Sequence, residues 1–341
     1  MAVALGHDTA MPSIRAWPFV FLLVGCDGGA QMLTGLPAAD ASTDAGPNAA
    51  TATLTGAAPA LAASPGYGAP PKLGFRVLAG RGSGAPVDGD VMLAALRSAD
   101  AVCLGETHDS FAVHSMQLLL IDRLRQLGSV VDSNWGMGFE MFQRPFQSAL
   151  DDFASGRIAE GTFRANSQFD VRWGFEWELY QPLVLHGIAH GHPLRALLAE
   201  KELTSRITAV GFAGLTPQET AAVPELVLTN ESHRAWFRTA IAAGHPNLTD
   251  ALFERLYTIQ VVWDETMAET ASLWLKAVPG RHMAIIAGRG HCIDMAIPDR
   301  LRRRGVGKVV ALQMQDEEAG SAEATVLQDP ADFVVSVKLS P

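Results

Sequence analysis

The chain has 341 residues, of which 48% are apolar and 18% charged. That composition excludes a disordered chain, a collagen-like repeat and a small disulfide-built scaffold. A formal charge of −10 and a pI of about 5.4 argue against nucleic acid as a partner, because phosphate binding needs clustered Lys and Arg.

In chain order, residues 1–26 read as a signal peptide. Arg15 supplies a positive charge, and Ala16 to Val24 form an apolar stretch too short to span a bilayer. The ending Leu23-Val24-Gly25-Cys26 resembles the bacterial lipobox, so Cys26 is expected to carry a lipid. Residues 27–72 are mostly Ala, Gly, Thr, Ser and Pro, with few charges and Tyr67 as the lone aromatic. Such a segment cannot bury enough apolar area to offset chain entropy. It reads as a tether with a coil span of roughly 35–40 Å. Lipid and tether together place a soluble domain at a bacterial membrane surface, in the cell envelope. No later run of about 18 or more uncharged apolar residues predicts a further span.

Leu73 to Leu78 is a weak strand, and Asp90 opens a short helix. The compact apolar run Asp100 to Gly105 predicts a buried strand. Val113, Met116, Leu120, Leu124 and Leu127 mark a helix over 111–127, stopped by Gly128. Val130 to Phe142 holds a second strand. Pro145 opens a helix that closes at Gly156, Trp177 to His190 is helical with Gly191 as cap, and Pro193 to Leu198 is a third strand. From 200 to 278 helical patterns dominate, at about 217–227, 232–243 and 249–277. Strands at 282–287, 308–312 and 332–339 and a helix at 298–304 complete the chain. The run Arg300-Leu301-Arg302-Arg303-Arg304 reads as the solvated end of that helix. The pattern predicts an α/β fold with a mostly parallel sheet flanked by helices, formed by 73–199 and 279–341, and a smaller all-helical insertion at 200–278. In such sheets ligands bind at the C-terminal strand ends.

Two strand ends carry the same signature. Gly105-Glu106-Thr107-His108 and Gly288-Arg289-Gly290-His291 each place Gly-x-x-His where a strand stops. The pattern alone is weak, since Gly187 to His190 repeats it inside a helix, but glycine lets the backbone turn sharply off a strand. Glu140 sits in the apolar strand end Phe139-Glu140-Met141-Phe142, where a bare carboxylate costs several kcal/mol. It must be paired, with Arg144 for instance, protonated, or bound to something. Glu106 reads as a cap on backbone amides or as a site carboxylate. Glu106, His108, Glu140 and His291 are expected to converge, because parallel strand ends share one edge. His114 is a helix-face histidine unless it joins them. Tyr180 and Tyr257 read as core, and Asp264 as a helix-surface charge or a group aimed at the crevice. His186, His190 and His192 are crowded, and the first two have the i,i+4 spacing of metal ligands. The Glu of an HExxH motif is missing, so a metal site there is not favoured. Cys103 and Cys292 read as small buried core residues, with a disulfide across the crevice as the alternative. No Ser-His-Asp elbow, phosphate loop or dinucleotide fingerprint is present.

Five segments together resemble the ChaN family of haem-binding lipoproteins in the Tiki superfamily. They are Gly105-Glu106-Thr107-His108-Asp109 with His114 and Gln117; Phe139 to Arg144 with Gln147; Trp177 with Tyr180-Gln181-Pro182-Leu183; Asp264-Glu265-Thr266-Met267-Ala268; and Ala287-Gly288-Arg289-Gly290-His291. The likeness runs from about 100 to 305. It implies haem, for iron uptake, in a crevice between the sheet domain and the helical part, with His108, His114, Arg144, Tyr180, Asp264 and His291 as cofactor-binding residues. A homodimer is compatible with it. One departure is Leu198-Ala199-Glu200-Lys201-Glu202, where the family usually has Asn before Pro-Arg. The wider superfamily also holds metal-dependent proteases and erythromycin-esterase-like hydrolases. By that likeness Glu106, His108, Glu140 and His291 would be catalytic, or Glu106, His108 and His291 would hold a divalent metal.

Overall fold

The computed structural model describes residues 72–127, 134–242, 244–317, 322 and 330–340. The signal peptide, Cys26 and the tether up to residue 71 lie outside them. No helix among the described residues is long and apolar enough to cross a membrane.

Seven strands form one sheet: β1 (Lys72–Ala79), β2 (Ala101–Glu106), β3 (Trp135–Gln143), β4 (Leu194–Leu198), β5 (His282–Gly288), β6 (Val309–Asp316) and β7 (Phe333–Ser340). Their spatial order is β1-β7-β6-β2-β5-β3-β4. All neighbours are parallel except β1 against β7. The mostly parallel sheet inferred from strand–helix alternation is therefore present. β2 and β3 are buried at every position, as expected of strands covered on both faces. β5 lies between them, and the register sets Glu106 beside Gly288 and Phe139 beside Ile286.

Side chains alternate across each strand, and this sorts the two faces. Val102, Leu104, Met137 and Phe139 pack with α1 (Gly89–Arg97), α2 (Phe111–Leu127), α3 (Gln147–Ala154) and α6 (Trp177–Ala189). Ala101, Cys103, Ile285 and Ala287 pack on the other face, against Met267, Ala271 and Trp274 of α10 (Asp250–Ala277) and Ile297 and Leu301 of α11 (Ile297–Arg303). Glu106 is two residues on from Leu104, and so enters the α2/α6 layer. Glu140 is one residue on from Phe139, and so enters the α10 layer.

The stretch expected to be helical holds α7 (Lys201–Val210), α8 (Pro217–Ala222), α9 (Glu231–Ala242) and α10. Helix α7 escapes sequence reading because β-branched Thr204, Ile207 and Thr208 weaken its propensity; burial of Leu203 and Ile207 decides it. The same holds for α4 (Glu160–Ser167), whose burial rests on Phe163 and Ser167, and for the four-residue α5 (Phe169–Arg172). At 28 residues α10 is about 42 Å long. Its first half packs with Phe237 and Ile241 of α9, while its second half covers the sheet. One helix thus serves both parts of the molecule.

The basic run at 300–304 is not a solvated helix end. Arg300 is 1% exposed. Arg300, Arg303 and Arg304 reach the buried carboxylate of Glu265 at 3.4, 2.6 and 2.5 Å. A carboxylate inside α10 needs compensating charge, and α11 supplies it.

Candidate functional site

In the α2/α6 layer, Glu106 organises a buried cluster. Its Oε1 accepts from Tyr180 at 3.0 Å and meets His108 Nδ1 at 2.9 Å, while Oε2 accepts from Gln117 at 2.9 Å. Gln117 also donates to the carbonyl of Leu104, which fixes its amide orientation and leaves Oε1 as an acceptor. His114 then faces two carbonyl oxygens, Gln117 Oε1 at 3.1 Å and His108 O at 3.0 Å. Both ring nitrogens thus face acceptor oxygens, and Nδ1 lies 3.5 Å from the Glu106 carboxylate. Burial pushes the Glu106 pKa up, but His114, His108 and Gln117 outweigh it and hold the carboxyl below its usual range. Burial and the Glu106 charge raise the Tyr180 phenol well above its ordinary value, which keeps it a donor.

Across the sheet, Glu140 and His291 form the second cluster. His291 Nε2 lies 3.2 Å from Glu140 Oε1, and its Nδ1 lies 2.6 Å from Asp264 Oδ1. The Gln260 amide nitrogen lies 3.1 Å from Nδ1 and donates to Asp264 Oδ1 at 3.5 Å, and the Gly288 amide donates to Glu140 Oε2 at 2.7 Å. Burial opposes both charges. His291, His108 and the Gly288 amide nevertheless hold Glu140 down at about 2. Glu140 and Asp264 hold the His291 proton up to about 10. His291 is thus an imidazolium clamped between two carboxylates.

The clusters meet at Gly288. A Cβ there would stand 2.8 Å from His108 Nε2 and 3.6 Å from Glu140 Oε2. His108 therefore leans over the end of β5 and reaches the second cluster. Its Nδ1 faces Glu106, while Nε2 has no hydrogen-bond partner among the described residues. The ring stands edge-on to Trp173 at 5.0 Å and tilted to Phe175 at 4.8 Å; Trp263 lies 6.3 Å from His291. Burial works to lower the His108 pKa, but Glu106 and Glu140 raise it overall. Gly288 has φ −55°, open to any residue, so Gly288→Ala adds only the clash. We expect that variant to fold normally and to weaken any ligand of His108 by about tenfold or more, as displacement of a first contact usually does; ligand titration beside circular dichroism checks it.

Cys103 and Cys292 are joined by a disulfide with Cα atoms 5.3 Å apart, so the core-residue reading is corrected. Cys103 is on the α10 face, and the loop carrying His291 folds down onto it. The bridge spans 189 positions, and removing such a link typically costs about 2–5 kcal/mol. Reductant, or the double Cys103→Ala/Cys292→Ala variant, should lower the melting temperature, read by calorimetry with thiol counting.

Of the residues singled out from sequence, Glu106, His108, His114 and Tyr180 share the first cluster, and Glu140, Asp264 and His291 share the second. Arg144 does not pair with Glu140. It points to Glu269 of α10 at 2.8 Å and to the Ala222 carbonyl. Tyr257 packs on His233 and Phe253. The ligand atoms of Glu106, His108 and His291 do not gather as a metal site would need; among the described residues another group does. Gln260 and Phe175 were missed. Gln260 had one signal, its place four residues before Asp264 on a helix. The departing segment Glu200-Lys201-Glu202 begins α7, where Glu202 pairs with Arg172 at 2.7 Å and the Lys201 amide donates to Gln143.

Residues 92–301 match the family model described as haem-binding uptake, Tiki superfamily, ChaN. The chain belongs to this family. No curated protein matches. The fold is similar to that of ChaN of Campylobacter jejuni, solved with cofacial haem, at 19% identity and a TM-score of 0.61 over 77% of this chain and 97% of that one. A mutant erythromycin esterase in its open conformation is similar at 13% identity and a TM-score of 0.40, over 74% and 78% of the two chains.

Proposed function

We propose that this ChaN-family chain binds haem for iron uptake, and that His108 would hold it through Nε2. One observation carries the reading. His108 is held by a carboxylate at Nδ1, has no hydrogen-bond partner at Nε2 among the described residues, and stands against Trp173 and Phe175. A carboxylate behind a ligating imidazole orients it and raises its basicity. Haem needs one such axial donor and an apolar wall. The other ring nitrogens among the expected site residues are already bonded, and Tyr180 is spent on Glu106. When bound, haem would supply the iron, and the protein would supply orientation and exclusion of water. Haemin titration of the purified chain, beside metal analysis, tests this. A Soret shift saturating at one haem per chain, which a cofacial pair shared by two chains would also give, supports it; no saturable shift overturns it. Size-exclusion chromatography with and without haemin reads whether two copies assemble, as a homodimer built on cofacial haem would.

We place the protein in the cell envelope, anchored through lipid on Cys26 and spaced from the membrane by the tether. Mass spectrometry of the mature N-terminus should find lipidated Cys26; an unmodified start at Met1 or Met11 excludes it. A second reading shares the same atoms. His108 backed by Glu106 is also placed as a general base, so ester hydrolysis that survives haemin saturation would favour a hydrolase.

A further inference from the structure

The opposite edge of the sheet carries a second set of ligand-type side chains. Helix α2 begins just past the C-terminal end of β2 and runs back, so Asp122 near its end lies toward the N-terminal edge. Helix α6 runs to the start of β4, so His186 and His190 lie there too. His186 stands in the last turn of the helix and His190 caps it, and their rings are 4.5 Å apart. Together with Asp122, one ligand atom from each of the three lies within 4.8 Å of the other two.

Three details fit an ion rather than a chance crowd. His186 Nε2 is buried and bonded to nothing, and buried polar atoms are rarely left so. Asp122 is held in place: Oδ1 accepts from Arg125 at 2.9 and 3.2 Å and Oδ2 accepts from Gln126, an arrangement that orients a ligating carboxylate and leaves lone pairs on both oxygens. Gly191, at φ +69°, turns the chain so that His192 stands 6.0 Å from the His186 ring. It is fixed there by Nδ1 on the Trp135 carbonyl at 3.1 Å, and it walls one side. No HExxH motif marks this group, because its carboxylate comes from α2 and its histidines from the end of α6.

We propose that Asp122, His186 and His190 bind a divalent first-row transition-metal ion of the zinc or cobalt type, distinct from the His108 site. Two imidazoles and one carboxylate suit such ions and not calcium or magnesium. Metal–ligand lengths of about 2.0–2.2 Å need only side-chain rotation to draw the three atoms together. With three protein ligands and two half-exposed histidines, a position stays open to water.

The test is titration of the full chain with Co²⁺ alone, read by visible absorption and by metal analysis after desalting. The parent should bind one equivalent. His190→Gln, at a half-exposed position that should fold normally, and Asp122→Asn should each weaken binding by about 100-fold, at the upper end of what losing even an outer partner costs. His108→Ala should leave Co²⁺ binding unchanged, and His190→Gln should leave haemin binding unchanged, so this site and the haem reading fail separately. Absence of Co²⁺ binding by the parent, equal binding by the parent and His190→Gln, or loss of binding in His108→Ala would each overturn the proposal.

Discussion

His108→Ala should abolish saturable haemin binding while costing only about 1–2 kcal/mol of stability, the scale of one buried hydrogen-bond partner. The cost stays small because Glu106 keeps its bonds from Tyr180 and Gln117 and its His114 neighbour. The binding loss is large because no other nitrogen among the site histidines is left to donate. Glu106→Gln keeps the ring but removes the charge behind it, and should weaken haemin by about 10–100-fold. The pH dependence has a definite sign. Nε2 can donate only when unprotonated, and the His108 pKa is raised above its ordinary 6.5. Affinity should therefore climb as pH rises through that raised value and fall on acidification. Soret titrations of the parent and both variants across that range check all three statements. Retention of parental affinity by His108→Ala would remove His108 as a residue that holds haem.

His291 should behave in the opposite way. His291→Ala or Glu140→Gln removes one partner of a buried ion pair, which costs about 3–5 kcal/mol. For a chain of this size that lowers the melting temperature by on the order of 10 °C. The linkage follows from the two shifts. Glu140, held at about 2 against an ordinary 4.5, contributes stability that is complete above 4.5 and lost as pH falls toward 2. His291, held at about 10 against an ordinary 6.5, contributes stability that is complete below 6.5 and lost as pH rises toward 10. The pair is thus worth most between 4.5 and 6.5, and the parent should lose stability more steeply above that window than Glu140→Gln does. Thermal melts across pH, parent against variant, measure it. Two histidines that share one sequence signature would then separate into a ligand and a structural cation.

That separation marks where sequence reading stops. Gly-x-x-His at two strand ends, with Glu140 in an apolar strand, was enough to bring four residues to one edge, because parallel strands end together. Which face each carboxylate enters depends on period-two alternation counted against the core. Leu104 and Phe139 share a face, yet Glu106 follows the first by two positions and Glu140 follows the second by one. One local count on each strand therefore puts the carboxylates in different layers. Asp264 was read as either a surface charge or a crevice group, since a carboxylate in a helix is ordinary until the burial of α10 over the sheet is known. The basic run at 300–304 was misread for the same reason: its partner, Glu265, lies 35 positions upstream of Arg300 in another helix.

Sequence by itself determined the strand–helix order, the mostly parallel sheet, the helical stretch between β4 and β5, and the strand-end residues. Each follows from local periodicity, glycine placement and the rule that parallel strands need covered faces. The tertiary structure alone decided the pairings: Cys103 with Cys292, Arg144 with Glu269 rather than Glu140, Asp122 with His186 and His190, and the hand-over of His108 to Gly288. These are contacts between elements distant along the chain. They are set by how helices pack across a twisted sheet, a geometry that no window of neighbouring residues contains.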